Sequence, residues 1–454
     1  MVNKILYNKT VNLHFVGVLG VSTSALAEYF LERGYAVSGS DLVENERAKL
    51  LIKKGLKFYK GHNAKNVRGA DAVIYTAAVG RENAEIRYAE RKKIPLVKRS
   101  ELLGAILSAY KKSVAISGSH GKTTATAMIA DVLKAARLDP TVFLGGEHSE
   151  FNVYRSGKSE YIVAEACEYK KSFLDIKPYI AVVLNVDNDH LDSYGNMSEM
   201  ERAFGQFISP ALSLINVDDK RAKNIVGTAS VTFGIENPAV YTVKNLKFNG
   251  VGYSFTARAY SRTLGKINLS VIGKHNVYNA LAAVAVADML KINFKTVKYA
   301  LESFRGVGRR AEYLGKLDNL DCFADYAHHP KEIQATLSAF NETGKKVGVV
   351  FQPHTYSRTE NLMDEFIIAL KDYDTIIYKT YAARESYNEK GSAKTLYDRL
   401  SEKTSKALYY ADDEKQIKEK IALISGKIDT LIFLGAGDIY DSAKTLIKNA
   451  KNNL

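Results

Sequence analysis

Apolar and polar positions follow two periods along this chain, and their alternation predicts its elements. Near the start, Asn12–Val16, Ala36–Ser40 and Ala72–Tyr75 are strand-like runs, and Ser24–Arg33 between the first two carries helical spacing. Ser113–Ser117, Tyr161–Ala164 and Ile180–Leu184 are nearly continuous apolar runs, the pattern of a parallel sheet covered on both faces. A helix is predicted over Ala125–Ala136 and another, rich in alanine, over Val277–Leu290. Between about Val226 and Leu269, short alternating runs with glycines predict a small antiparallel excursion. Asp321–Ala324, Val347–Phe351, Thr375–Tyr378 and Thr430–Leu434 are the strands of a last alternating block, and the polar tail Ile447–Leu454 is expected to fray.

Strands alternating with helices predict an α/β protein of three domains. These are a Rossmann-like unit over 1–110, a central P-loop parallel-sheet ATPase unit over 111–310, and a C-terminal Rossmann-like unit over 311–454, with Gly306-Val-Gly308 as a hinge. A length of 454 residues points to the same number, about three.

Composition narrows the class. Apolar residues at 46% and charged residues at 25% are ordinary for a globular protein with several cores. Cys167 and Cys322 are far apart and lack metal-ligand spacing, which argues against a disulfide framework and for a reducing compartment. No export signal opens the chain, and no segment approaches the roughly 18 unbroken apolar residues of a membrane helix. A cytoplasmic protein without a membrane partner is therefore expected. The formal charge of +14 is scattered, without the basic stripe and reading motif of a nucleic-acid binder. It suits attraction of small polyanions such as nucleotides.

The strongest chemical signal is Gly118-Ser119-His120-Gly121-Lys122-Thr123-Thr124, set between an apolar strand and a helix. Glycine turns let successive N–H groups point inward, and a helix N-terminus adds partial positive charge. Lys122 can then reach the β- and γ-phosphates of ATP, and Thr123 offers a hydroxyl to Mg²⁺. The first glycine of the common Walker pattern is absent, Ile116 standing in its place. Glu165 ends one apolar run, and Asp189-His190 follows another. Residues beyond strand C-termini line the ligand crevice of an open parallel sheet. Either group alone is an ordinary polar residue, but their shared placement beside the phosphate loop makes Glu165 and His190 candidate Mg²⁺ ligands with Thr123.

This short Gly-x-x-Gly-Lys-Thr-Thr loop resembles that of the Mur ligase family. The resemblance extends through Glu165-Ala-Cys-Glu-Tyr169 with Ser172-Phe-Leu, Asn185-Val-Asp-Asn-Asp-His-Leu-Asp192, Gly273-Lys-His-Asn-Val-Tyr-Asn-Ala280, Gly306-Val-Gly-Arg-Arg310, Asp325-Tyr-Ala-His-His-Pro330 and Gln352-Pro-His-Thr-Tyr-Ser-Arg-Thr359. It covers nearly the whole chain in order. It implies an ATP-dependent amide ligase that joins L-alanine to the carboxylate of UDP-N-acetylmuramate through an acyl phosphate, acting as a monomer or homodimer. Several family members carry a lysine after the metal-binding histidine, and here none occurs between Lys177 and Lys220. That absence is similar to the alanine-adding branch and to its tripeptide-recycling relative.

The resemblance also implies roles. Lys122, Glu165, His190 and Arg309 are the expected catalytic set, with Asn276, Asn279 and Asp325 joining the phosphate loop on ATP. Gly17, Gly20, Ser40, Asp41, Arg310 and His328 are expected at the acceptor, and His354 and Arg358 at the incoming amino acid. The glycine turn departs from the family form, because Leu19 and Ser22 stand where glycines are expected in Gly17-Val-Leu-Gly-Val-Ser22. A left-handed Leu19 would cost roughly 1–2 kcal/mol, so UDP-N-acetylmuramate is expected to bind more weakly than to relatives with the full glycine turn, or the true acceptor to differ. Two other classes remain open. A Rossmann dehydrogenase would use Gly17, Gly20 and Asp41 for a dinucleotide, but no nicotinamide-side catalytic set accompanies them. A regulatory P-loop ATPase would hydrolyse ATP without any amino acid.

Overall fold

The computed structural model describes residues 2–76, 78–187, 193–383 and 385–452. Its strands form three sheets. In the first, β1 (Leu13–Val16), β2 (Val37–Asp41), β3 (Lys57–Lys60), β4 (Ala72–Tyr75) and β5 (Leu96–Lys98) run parallel in the order 3-2-1-4-5. The order reverses at β1, so the turn after it opens on a crevice at a topological switch point.

The second sheet comprises β6 (Lys112–Ser117), β7 (Thr141–His148), β8 (Asn152–Arg155), β9 (Tyr161–Glu165), β10 (Ile180–Val183), β11 (Leu212–Asn216), β12 (Val231–Phe233), β13 (Tyr241–Phe248), β14 (Tyr253–Ala259) and β15 (Arg262–Asn268). Their order is 15-14-13-12-11-10-6-9-7-8. β6 lies parallel between β9 and β10, and Val114, Ala115 and Ile116 are fully buried, as an apolar run without alternation requires. β13 to β15 are the excursion expected after Val226. Helix Met197–Ile208 starts where the Asn196 side chain accepts from Glu199 N at 2.9 Å, and it packs Phe204 and Phe207 on Phe173. Each of these phenylalanines is almost fully enclosed, worth about 1.5–3 kcal/mol.

By internal contact the chain divides into two compact units. The first holds Met1–Leu246, Phe255–Asn268 and Val277–Phe304. One apolar cluster runs through both of its sheets, and this is the physical reason they count as one. Tyr29 meets Phe143 at 5.7 Å and Tyr154 at 6.2 Å between ring centroids, while Arg33 donates to the hydroxyls of Tyr154 and Tyr110.

The second unit holds Lys247–Ser254, Leu269–Asn276 and Arg305–Leu454. Its sheet consists of β16 (Glu312–Leu317), β17 (Leu320–Asp325), β18 (Val347–Phe351), β19 (Asp374–Tyr378), β20 (Leu408–Ala411) and β21 (Thr430–Leu434), in the order 16-17-21-18-19-20. Only β16 is antiparallel to its neighbour. Val349 and Phe351 join one buried cluster and Val350 the other, so the sheet is covered on both faces with the period of two that strands impose. The tail expected to fray is helical from Ile439 to Asn452, and residues 453–454 lie outside the described residues. Among the described residues no helix is long and apolar enough to cross a membrane.

Candidate active site

The phosphate loop leaves β6 and enters helix Lys122–Ala135 directly. Gly118 and Gly121 take φ of +144° and +83°, and both approach neighbours closely. A Cβ at Gly118 would lie 3.1 Å from Asn185 N, and one at Gly121 would lie 2.8 Å from Asn279 Oδ1. Only glycine meets both demands without strain. Asn185, just beyond β10, brackets the loop. Its Oδ1 accepts from His120 N at 2.8 Å, and its Nδ2 donates to His120 O at 3.0 Å. Ser119 Oγ accepts from Asp187 N at 2.8 Å, and His120 Nε2 lies 3.4 Å from Asp187 Oδ2. Thr123 and Thr124 are buried on the first helical turn.

The Lys122 ammonium folds back over its own loop. It donates to Gly118 O, to Ser119 O at 3.2 Å and to Glu168 Oε1 at 3.1 Å. Burial pushes the Lys122 ammonium down, but the carboxylates of Glu168 and Glu165, with the hydrogen bond to Glu168, outweigh it and hold the group above its ordinary value. Glu165, at the end of β9, is paired in register with Ile116 of β6, which brings its carboxylate to the same sheet edge. Its Oε1 accepts from Gly145 N of β7. His190, the expected second metal ligand, lies outside the described residues.

At the crevice beyond β1, Gly17 has φ of +73° and Gly20 caps helix Val21–Glu32. Leu19 is not among the residues with positive φ, which corrects the expected strain. Its N–H donates to Asp41 Oδ2 at 2.9 Å and its side chain packs partly buried on the core, so the turn closes without left-handed backbone there. Ser22 Oγ accepts from Arg99 Nη1 at 2.8 Å. Ser40 is fully buried and its hydroxyl donates to Glu85 at 2.6 Å, turning it inward from the crevice where an acceptor contact was expected. Glu85 also accepts from Asn66 at 2.6 Å. Burial would raise its carboxyl, but the His14 imidazole 3.7 Å away and the hydrogen bonds from Ser40 and Asn66 prevail and bring it down to about 2.

The second unit gathers another set. Asp325, at the end of β17, accepts from Ala311 N at 2.7 Å and Ala327 N at 2.8 Å. Its carboxyl is raised by burial, against the opposing charge of Arg310. Arg309 has φ of +59° and its guanidinium lies 4.2 Å from the Tyr440 ring centroid; Arg310 lies 5.3 Å from that of Tyr326. His328 and His354 face one another with ring centroids 5.5 Å apart. His354 also stacks on Tyr381, and Arg358 Nη1 donates to its Nδ1 at 3.1 Å. Burial, then the charges of His328 and Arg358, press the His354 imidazole down to about 4. A neutral imidazole beside a fixed guanidinium is a receptor for a carboxylate. His329 instead caps helix Pro330–Asn341 in a capping box with Glu332. The Gly435-Ala-Gly437 turn packs on Gln352, and Cβ at Gly437 would lie 2.4 Å from Gln352 Oε1. The structure brings Gly118–Thr124, Glu165 and Asn279 together in the first unit, and Asp325, His328, His354 and Arg358 belong to the second, as does Asn276.

Three family models match successive stretches of the chain. They are the Mur ligase family catalytic domain over residues 12–111, the Mur ligase middle domain over 116–287 and the Mur ligase glutamate ligase domain over 309–437. The chain is 41% identical to UDP-N-acetylmuramate–L-alanine ligase of Clostridium acetobutylicum, covering 94% of this chain and 95% of that protein. This chain belongs to the Mur ligase family. The enzyme of the same name from Aquifex aeolicus is 39% identical, with 96% and 97% covered. Among solved structures, the UDP-N-acetylmuramate-alanine ligase of Thermotoga maritima superposes with a TM-score of 0.84 at 31% identity, covering 98% of this chain and 100% of that one. A murein peptide ligase of Psychrobacter arcticus shares the fold, with a TM-score of 0.71 at 20% identity and coverage of 98% and 99%.

Within this Mur ligase, three residues that contact the phosphate loop or Glu165 carry no distinctive pattern in the sequence: Asn185, Glu168 and Gly145. The signal was positional: Asn185 and Glu168 follow the ends of β10 and β9, Gly145 lies within β7 just past its last residue paired with β9, and that adjacency requires the strand order.

Proposed function

We propose that this chain is an ATP-dependent ligase joining L-alanine to the carboxylate of UDP-N-acetylmuramate in peptidoglycan precursor synthesis. The observation carrying this is the phosphate loop at the end of β6 with Glu165 at the end of adjacent β9, in a chain similar over nearly its full length to ligases of that name. The γ-phosphoryl group of ATP passes to the acceptor carboxylate, the alanine amine attacks the acyl phosphate, and phosphate leaves. Positioning and charge neutralisation dominate such chemistry. Lys122 offsets charge on the transferring group, and Asn276, Asn279 and Asp325 hold the nucleotide with the loop.

Mg²⁺ fits the first unit because Thr123 and Glu165 offer oxygen donors beside a phosphate loop, the hard set this ion takes together with phosphate oxygens. It would supply charge stabilisation at the phosphoryl oxygens, with His190 completing the protein's contribution. In this reading Gly17, Gly20, Asp41, Arg310 and His328 serve the acceptor, Arg309 holds phosphate, and Arg358 with His354 takes the alanine carboxylate. Ser40 acts through Glu85 rather than by touching the acceptor.

The test is a coupled phosphate-release screen crossing UDP-sugar acids with L-alanine, glycine, L-serine and a tripeptide. Release that depends on both UDP-N-acetylmuramate and L-alanine is expected. Release indifferent to any amino acid would make the chain an ATPase, and release driven only by the tripeptide would move it to the recycling branch.

A further inference from the structure

An ammonium group has three protons to donate, and Lys122 spends all three inside the protein, on Gly118 O, Ser119 O and Glu168. The two carbonyl bonds belong to the loop itself. The third runs to a carboxylate that is 1% exposed, in the segment just after β9. Glu168 Oε2 also lies 3.0 Å from the lysine nitrogen, at an angle that makes no hydrogen bond, and has no other partner among the described residues. The backbone there is pinned, because the Tyr194 hydroxyl donates to Glu168 O. A phosphate oxygen can therefore reach Lys122 only by exchange, and Glu168 holds the bond to be exchanged. A site shaped for tight triphosphate binding alone gains nothing from a second buried anion three residues beyond Glu165.

We propose that Glu168 is a positioning residue that competes with nucleotide phosphates for Lys122, holding the lysine in place and reclaiming it when nucleotide leaves. The phosphate loop is then reset at each turnover, and nucleotide affinity is held down in favour of release. This rests on the reading of ATP as the substrate.

The test is calorimetric titration of the full chain with Mg²⁺·ADP, with stopped-flow ADP release and steady-state ATP kinetics, on wild type, Glu168→Gln and Glu168→Asp. Glutamine keeps the shape and removes the charge. It is expected to bind ADP about 5- to 10-fold tighter, as for removal of one coupled partner from a shared network, to release it correspondingly slower, and to lower KM for ATP. Aspartate keeps the charge but withdraws it by one methylene from Lys122, so it is expected to behave like glutamine. Unchanged or weaker ADP binding in Glu168→Gln, as a purely structural role would give, overturns the proposal. So does a Glu168→Asp variant that matches wild type while Glu168→Gln tightens, because through-space repulsion would then account for the effect. A glutamine variant that melts below the assay temperature leaves the decision to the aspartate variant. Failure of wild type to bind ADP would overturn the nucleotide-site reading itself and this proposal with it.

Discussion

Gly145→Ala is a small change whose consequence the structure localises. Gly145 lies exposed on β7 without positive φ, so alanine costs no backbone strain there. The new Cβ would stand 2.6 Å from Glu165 Oε2 and 2.8 Å from Oε1, where ordinary contact begins at 3.4 Å. The carboxylate must therefore retreat by about 0.8 Å, and in doing so it gives up the hydrogen bond from Gly145 N. Because the obstructing atoms are the free end of a flexible side chain, the fold absorbs the change and the proposed metal ligand does not. A hydrogen bond to a charged group is worth about 1.5–3 kcal/mol, and a misplacement near 1 Å at a reacting centre costs roughly 10²-fold in rate. Phosphate release measured against Mg²⁺ concentration should show kcat down about 10²-fold and half-saturation moved to higher Mg²⁺, with thermal unfolding near that of wild type. A variant whose kcat and Mg²⁺ titration overlay wild type would refute the claim that Gly145 orients Glu165.

Asn185→Ala removes both side-chain bonds that bracket His120, so stability should fall by about 1–3 kcal/mol and KM for ATP should rise; unaltered melting and KM would leave Asn185 without that role. Arg358→Lys replaces a planar donor that reaches His354 at 3.1 Å with a point charge; KM for L-alanine should rise while ATP binding holds, and the reverse pattern would assign Arg358 to the nucleotide. The double change Leu19→Gly, Ser22→Gly should leave UDP-N-acetylmuramate binding unimproved in calorimetry and lower the melting temperature, since glycine adds about 0.5–1 kcal/mol of conformational cost and Leu19 packs on the core. Tighter acceptor binding in that variant would restore the need for glycine.

Where an element is buried on both faces, its apolar run states its limits, and Val347–Phe351 and Thr430–Leu434 coincide with β18 and β21. β3 and β5 carry mixed, partly exposed residues, so no comparable run marks them. The joining of the first two sheets was not legible either. It depends on Tyr29 meeting Phe143 and Tyr154, residues far apart in sequence that share no periodic signal. The same division holds at the site. Gly118–Thr124 is contiguous, so its chemistry can be read from one stretch of chain. The bracket by Asn185, the hold of Gly145 on Glu165 and the bond from Lys122 to Glu168 depend on β6 lying between β9 and β10 with β7 beside β9. Only the folded sheet supplies that order.

The glycine turn after β1 shows why a missing glycine need not mean a missing conformation. A glycine in such a turn answers one of two needs, positive φ or close approach of the backbone to a ligand. Here positive φ falls on Gly17 alone, so the loss of glycine at Leu19 carries no torsional cost. Asp41 accepts from Leu19 N, which ties the turn to the end of β2 and does by hydrogen bonding what flexibility would otherwise permit. At Ser22 the second need is the relevant one, and the hydroxyl has a partner in Arg99. That bond sets a guanidinium at the start of helix Val21–Glu32, where a phosphate oxygen would also be favoured by the helix end. If the acceptor binds this turn as proposed, the fixed cation would offset the backbone approach lost at Ser22, and acceptor affinity would follow the Ser22–Arg99 pair rather than the number of glycines.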